Sequence, residues 1–409
     1  MADEREASRA DRGTAGSRYR SFQYLEAGRD YRAFRLAPEV DRVPPEPVPL
    51  SPTDEERAER LLATSISISL HDHLEVDPLD LGEMEAWVRE ARTATGYEGL
   101  RRSRLTAVFE NFGDGMATIT SKAGWKWGDV IHDVGMRYSD WAHQDFVVRA
   151  ERLADISLAR TTGRVAVIPA LESASPIENE VDRIDVLYGL GIRMLGVAYS
   201  DSNALGSGCR ERSDGGLTVF GRRAVERMNR LGMVIDVSHA GDRTAFDTIE
   251  ASDRPVCISH SGARALWPIS KLKPDELIRA CAERGGVIGI EAAPGTTMTL
   301  ENPAEHTLDS FMRHFEYCVE LVGIDHVAFG PDTLFGDHAG SYHVPIGDLV
   351  ASGDSEHDRV EVPWVRGLEN PGDFPNIVRW LVKHGYCDAE IVKAIGGNVV
   401  RLLEQTWWS

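Results

Sequence analysis

The 409 residues hold only five cysteines, Cys209, Cys257, Cys281, Cys318 and Cys387, an odd number with no Cys-x-x-Cys pair. A disulfide framework is excluded, and reduced, mostly structural thiols are expected. No stretch comes near the roughly 18 unbroken apolar residues of a membrane span. The opening MADEREASRADRGTAGSRYR has no apolar core of a signal peptide, so a cytoplasmic protein is expected. Positive charge is in deficit, with 45 Lys and Arg against 65 Asp and Glu, a net charge of -20 and a pI near 5.1. Nucleic acid and anionic membrane surfaces both demand the opposite sign, and neither is expected as a partner. Internal repeats and low-complexity blocks are absent. What remains is a chain with 42% hydrophobic residues, enough to bury a real core.

The first 60 residues are charged and run into the proline-rich VPPEPVPLSP, which reads as an N-terminal extension, with aromatic anchors in FQYL and YRAFRL. From residue 61 to 409 short β-rich runs alternate with segments of helical period, the pattern of a parallel α/β fold. The runs are SISISLHDH (65–73), GMATIT (115–120), RVAVIPALE (164–172), IRMLGVAYS (192–200), MVIDVSH (233–239), PVCISHS (255–261), GGVIGIEAA (285–293) and HVAFGPD (326–332). From the third onward their tips lie roughly 21 to 40 residues apart, as strand-plus-helix units require, and they predict a (β/α)8 barrel. The competing open doubly wound sheet lacks a glycine-rich nucleotide fingerprint after its first strand. Helices are legible between the runs: GLTVFGRRAVERMNRLG (216–232) ends on Gly232 as a C-cap, and KPDELIRACAERGG (273–286) opens with Pro274, Asp275 and Glu276.

SISISLHDH alternates Ser with Ile or Leu and then ends in His71, Asp72 and His73. Residues i and i+2 of a strand share a face, so the two imidazoles project together, as a metal ion would require. In a (β/α)8 barrel the chemistry sits at the C-terminal strand ends. Glu172 ends the third run, His239 the fifth, His260 the sixth and Asp332 the eighth. Singly, each has a plainer reading: His239 as a core histidine, His260 as a turn cap, Asp332 as a loop-start cap, Glu172 as a helix initiator. Together, four histidines and two carboxylates are too many for one tetrahedral zinc and suit two divalent ions sharing a carboxylate. Zinc is the first choice for so imidazole-rich a set, with manganese, cobalt and iron open. Such a site hydrolyses. His338 and His343, in the loop beyond Asp332, are further candidates for touching substrate.

These motifs, together with YGLGIRMLGVAYSDSNALGSGC, the GGLTVFGRRAVERMN helix and the closing AIGGNVVRLLE, resemble the membrane dipeptidase (renal dipeptidase) family of metallopeptidases, in the amidohydrolase superfamily. The likeness runs from about residue 61 to the C-terminus, with His-x-His here where the family form is His-x-Asp. It implies that His71, His73 and Asp332 hold one metal and His239 and His260 the other, with Glu172 bridging. It further implies that Asp332 shuttles the proton from attacking water to leaving amine, that the substrate is a dipeptide or related small amide, and that the protein is a homodimer. Tyr199 stands at the strand-four tip, where relatives have a histidine near the substrate carbonyl; a phenol can donate to an oxyanion there, or simply pack the mouth.

The departures bear on substrate. Eleven residues after His260, where the family has an arginine for the substrate's carboxylate, stands Lys271, which keeps the charge and loses the bidentate fork. Arg264 is a nearby substitute. The loop after Asp332 reads TLFGDHAG in place of a Phe-Asp-Gly run, and Trp125 and Trp127 either wall an apolar pocket or belong to the core. Hydrolysis of an N-acyl amino acid or lactone, or a metal-dependent decarboxylation, is the alternative chemistry; a silent binding protein would need a broken ligand set, and all six positions are competent.

Overall fold

A computed structural model describes residues 19–112, 122, 124–342 and 364–408. Among the described residues the nine strands are β1 (Ile68–Asp72), β2 (Ala107–Phe112), β3 (Val147–Arg149), β4 (Val165–Leu171), β5 (Met194–Gly196), β6 (Val234–Asp236), β7 (Cys257–Ser261), β8 (Val287–Ile290) and β9 (Val327–Phe329). All pair in parallel, in the order β1-β2-β4-β5-β6-β7-β8-β9, with β3 attached to β4 outside that path. Two backbone hydrogen bonds close the ring from the end of β9 to β1: Asp332 N to the His71 carbonyl (3.0 Å) and the Thr333 carbonyl from His73 N (2.9 Å). The protein is therefore a (β/α)8 barrel carrying one extra short strand. Ile68, Leu70, Ala107, Phe109, Ile168, Met194, Val234, Cys257, Val287 and Ala328 form one buried cluster drawn from every strand of the ring. The alternate positions, among them Val108, Val167, Leu195, Ile235, Ile258, Ile288 and Phe329, pack outward against the helices.

The second barrel strand is not GMATIT, whose residues lie outside the described ones, but Ala107–Phe112. Its sequence AVFENF carries a glutamate, which argues against a wholly buried strand until its partner is seen. Glu110 accepts from buried Arg137 (2.7 Å) and from Leu74 N (2.5 Å), and Arg137 also holds Asp133 at 2.9 Å and Glu75 at 3.2 Å. That network fixes the turn that follows His73. The helices read at 216–232 and 273–286 are present as Val219–Leu231, capped by Thr218 and Gly232 (φ 76°), and Asp275–Glu283. Pro52–Thr64 is a helix across the end of the N-terminal extension. Earlier in it, Tyr19, Ser21 and Phe22 N all donate to the Asp140 carboxylate, at 2.5, 2.6 and 2.6 Å, as does Tyr97 at 2.9 Å. Among the described residues no helix is long and apolar enough to cross a membrane.

Candidate metal centre at the barrel mouth

Two strands break their alternation at the point where they present a histidine. Along β1, Ser69 pairs with Val108 and Asp72 with Glu110, three residues against two. Along β7, Ile258 pairs with Ile288 and Ser261 with Ile290, again three against two. The extra residue is a β-bulge, which re-aims side chains at barrel rims. Ile68 and Leu70 face the inner cluster, and past the bulge His71 and His73 converge, their ring centroids 5.1 Å apart. The His71 and His260 rings stand 3.6 Å apart. Asp332, just past β9, has a left-handed backbone (φ 57°), uncommon for a residue with a Cβ and a recurrent feature of functional sites.

All six strand-tip residues meet in this mouth. Asp332 Oδ1 lies 3.3 Å from His71 Nε2 and 3.2 Å from His73 Nε2, and Oδ2 lies 4.0 Å from His260 Nε2. The Glu172 carboxylate divides between two sides, Oε1 at 3.3 Å from His73 Nε2 and Oε2 at 3.3 Å from His239 Nε2. His239 and His260 bring their Nε2 atoms within 2.9 Å. The Glu172 loop is held close to β5 by Gly196, where a Cβ would lie 1.8 Å from the Glu172 carbonyl oxygen.

The protonation pattern fits metal coordination. His73 Nδ1 is 2.6 Å from the Asn111 carbonyl, which can only accept, so Nδ1 carries a proton and Nε2 is the nitrogen turned to the mouth. Despite burial, the hydrogen bond to Asp332 and the Glu172 charge hold this imidazole well above its ordinary range in the metal-free site, so a metal there would take the place of a proton. His260 Nδ1 lies 2.8 Å from Ser259 Oγ, whose own proton goes to Asp236 Oδ2 at 2.6 Å, so here Nε2 is the free lone pair. Nδ1 of wholly buried His71, and Nδ1 of His239, lack a hydrogen-bond partner among the described residues. Buried polar atoms are rarely left so. Ligand atoms from His71, Glu172 and His260, from His71, His73 and Asp332, and from His260, Glu291 and Asp332 each lie within 4.8 Å of one another. In the metal-free site burial raises Glu172 to about 8 despite the nearby His73. Burial would raise Asp332 as well, but His71 and His260 outweigh it and hold that carboxyl well below its usual range.

Residues 56–347 match the family model for membrane dipeptidase, peptidase family M19, which is more than half of the chain. The chain belongs to the membrane dipeptidase family. Like that family it is a metal-dependent hydrolase. It is 27% identical over 318 residues to Dipeptidase aclJ of Aspergillus oryzae, covering 74% of this chain and 68% of that protein. With Dipeptidase 3 of Rattus norvegicus the identity is 26% over 251 residues, covering 60% of this chain and 46% of that protein. Among solved structures, an amidohydrolase from Pseudomonas aeruginosa is similar with a TM-score of 0.70 and 26% identity, over 86% of this chain and 99% of that one.

The remaining candidates in this membrane dipeptidase barrel fall into different places. Tyr199 stacks on His239, ring centroids 4.0 Å apart, and burial, then the Glu172 charge, hold its hydroxyl well above the ordinary phenol range. Lys271 reaches the site from beyond β7, its Nζ donating to the His260 carbonyl (2.8 Å) and to Glu291 Oε2 (2.9 Å). Arg264 is turned to Asp242, which its two terminal nitrogens grip at 2.6 and 2.8 Å, and that fork is not presented to the mouth. Trp125 is packed into the core between barrel and helices, and Trp127 packs against the same core. His338 is buried and lies 3.1 Å from the Tyr342 hydroxyl; His343 is outside the described residues.

Sequence reading passed over the residues that brace the candidate ligands. Asp236 Oδ1 accepts from Ser238 N, Ser238 Oγ and Ser259 N, at 3.0, 2.6 and 2.9 Å. Asp72 accepts from Ser69 Oγ at 2.5 Å and from Thr333 N and Oγ1 at 2.9 and 2.8 Å, tying β1 to the Asp332 loop; burial raises its carboxyl to about 7. The signal was present: a carboxylate stands beside the candidate ligand histidines in both HDH and VIDVSH. Glu291, at the tip of β8, was missed as a site residue for want of a histidine near it.

Proposed function

We propose that the mouth holds two divalent ions, zinc by ligand chemistry, and cleaves a dipeptide or dipeptide-like amide. His71, His73 and Asp332 would hold one ion, His239 and His260 the other, and Glu172 would serve both. The observation that carries this reading is the divided Glu172 carboxylate, one oxygen toward His73 and the other toward His239. When bound, such ions supply a hydroxide near neutral pH and polarise a carbonyl. The chain's own groups do the rest. Asp332, kept ionised by the imidazoles, accepts the proton of the attacking water and returns it to the departing amine. Tyr199, kept protonated, donates to the oxygen on which charge develops. Asp236, through Ser259, keeps the His260 Nε2 lone pair directed into the mouth.

The five unpaired cysteines support a reducing, cytoplasmic setting, and family membership supports a homodimer. A panel of dipeptides, N-acyl amino acids and lactones, offered to protein loaded with zinc, manganese or cobalt, tests the assignment. Preferential hydrolysis of dipeptides is expected. Turnover of lactones or acyl amino acids alone would move the protein to the alternative chemistry.

A further inference from the structure

The segment 35–42 lies ahead of the residues that match the family model, and nothing in the hydrolytic chemistry calls for it. It nevertheless meets the Asp332 loop by three separate routes. The first is a ribbon of backbone. Past His73 and Asp332, residues 73–77 and 333–335 run side by side: the Thr333 carbonyl accepts from His73 N at 2.9 Å, Phe335 N donates to the Glu75 carbonyl at 3.1 Å, and Asp77 N to the Phe335 carbonyl at 3.0 Å. Segment 35–37 closes the outer edge of that ribbon, Ala37 N donating to the Asp77 carbonyl and Leu79 N to the Arg35 carbonyl, both at 2.8 Å. The second route is Phe335. Its buried ring lies so close to Gly96 and Gly99 that a Cβ on either would overlap it. The Glu39 carboxylate holds the start of the same helix, Tyr97–Arg102, accepting from Glu98 N at 2.7 Å and from Gly99 N at 3.1 Å. The third is Arg42, whose guanidinium pairs with buried Glu369 and stands 3.7 Å from Asp337, the residue that caps the short helix His338–Ser341.

What the loop needs from outside is visible at Asp332. Its left-handed backbone is a conformation that persists only where the surroundings over-determine it, and its carboxylate must meet both His71 and His73. We propose that residues 35–42 are a strap that positions Asp332, so that the strap and the metal-binding mouth are coupled: the seated strap strengthens metal binding, and bound metal tightens the strap. Arg42 is then a positioning residue, acting through Asp337 and the loop between it and Asp332. This rests on the metal reading of the mouth above, and adds to it a stretch of chain that lies outside the family match.

Hydrogen exchange in the zinc-loaded and the metal-free protein reads the coupling from one side. The amides of Ala37, Leu79, Glu98 and Gly99 make the strap's hydrogen bonds, and with zinc bound they should exchange about fivefold more slowly or better, the lower end of ordinary coupling between sites. Phe22 N, which donates to Asp140 farther back in the extension, should not change. Chelator competition reads the coupling from the other side. By reciprocity Arg42→Met should bind zinc about fivefold or more weakly than the parent, and Arg42→Lys, which keeps the charge, should fall between them. A tie that only holds the fold together would weaken loaded and metal-free protein alike and leave the affinity unmoved. Zinc bound with the strap amides unchanged, or slowed no more than Phe22 N, overturns the inference, and that comparison needs no variant. So does a zinc affinity in Arg42→Met within about twofold of the parent. A parent that takes up no zinc at all would overturn the metal reading, and the inference with it.

Discussion

Ser259→Ala removes one oxygen and nothing else from the centre of the mouth. In the parent that oxygen accepts from His260 Nδ1 at 2.8 Å and donates to Asp236 Oδ2 at 2.6 Å. Asp236 Oδ1 keeps its three donors from Ser238 and the Ser259 backbone, but Oδ2 is left without a partner. His260 Nδ1 is likewise stranded in a wholly buried ring. Each stranded polar group costs about 1–3 kcal/mol, so roughly 2–6 kcal/mol of stability should go in the metal-free protein. The second consequence is chemical. Without Ser259 nothing fixes the proton on Nδ1, Nε2 is no longer held as a lone pair, and metal affinity should drop by about 10–100-fold, the usual cost of removing such a support. Urea unfolding of the metal-free protein reads the first effect, and competition with a calibrated chelator at constant pH reads the second. Ser259→Thr, which keeps the hydroxyl, should recover most of the affinity. Affinity within a factor of about two of the parent in Ser259→Ala would refute the relay from Asp236 to His260.

Replacing Asp332 by Asn keeps the size and removes both the ligand charge and the proton acceptor, so turnover should fall by roughly 10²–10⁴, and turnover within about twofold of the parent would exclude the role. His314 is buried, accepts from Ala263 N and lies 2.8 Å from the Met298 carbonyl, and burial lowers its pKa to about 4 from an ordinary 6.5. Its contribution is thus complete above the unfolded value and lost as pH falls toward the folded one. The parent should lose about 3 kcal/mol more than His314→Gln between those limits, seen as a steeper fall in urea midpoint, and parallel pH profiles would contradict this. Asp140→Ala removes the carboxylate that accepts from four donors, three of them from residues 19–22, and should cost about 3–5 kcal/mol while speeding tryptic cleavage after Arg20. Unchanged cleavage would mean that this segment is held elsewhere.

The barrel was legible because five of its strands end in ligand-type residues placed where the fold puts its chemistry, and because GLTVFGRRAVERMNRLG and KPDELIRACAERGG carry their own caps. The second strand was not legible. AVFENF hides a buried charge whose partner, Arg137, is 27 positions away and visible only in three dimensions. The bulges escaped for a different reason: alternation in SISISLHDH is continuous in sequence, and the extra residue exists only relative to the partner strand. Among site residues, the ones that bind by type stood out, whereas Asp72, Asp236 and Ser259 act through a neighbour and look like ordinary strand-end polar residues. Arg264 shows the converse limit, since charge and proximity in sequence say nothing of the Asp242 that occupies it.

The account turns on two ions shared by one carboxylate. The direct measurement is metal content per chain by elemental analysis, in the parent and in Glu172→Gln, with activity followed through chelation and metal return. Two divalent ions per chain in the parent, activity lost on chelation and recovered on readdition, and a stoichiometry of one or less in Glu172→Gln are expected. A parent that holds one ion or none while fully active, or a Glu172→Gln variant that still binds two, would contradict it.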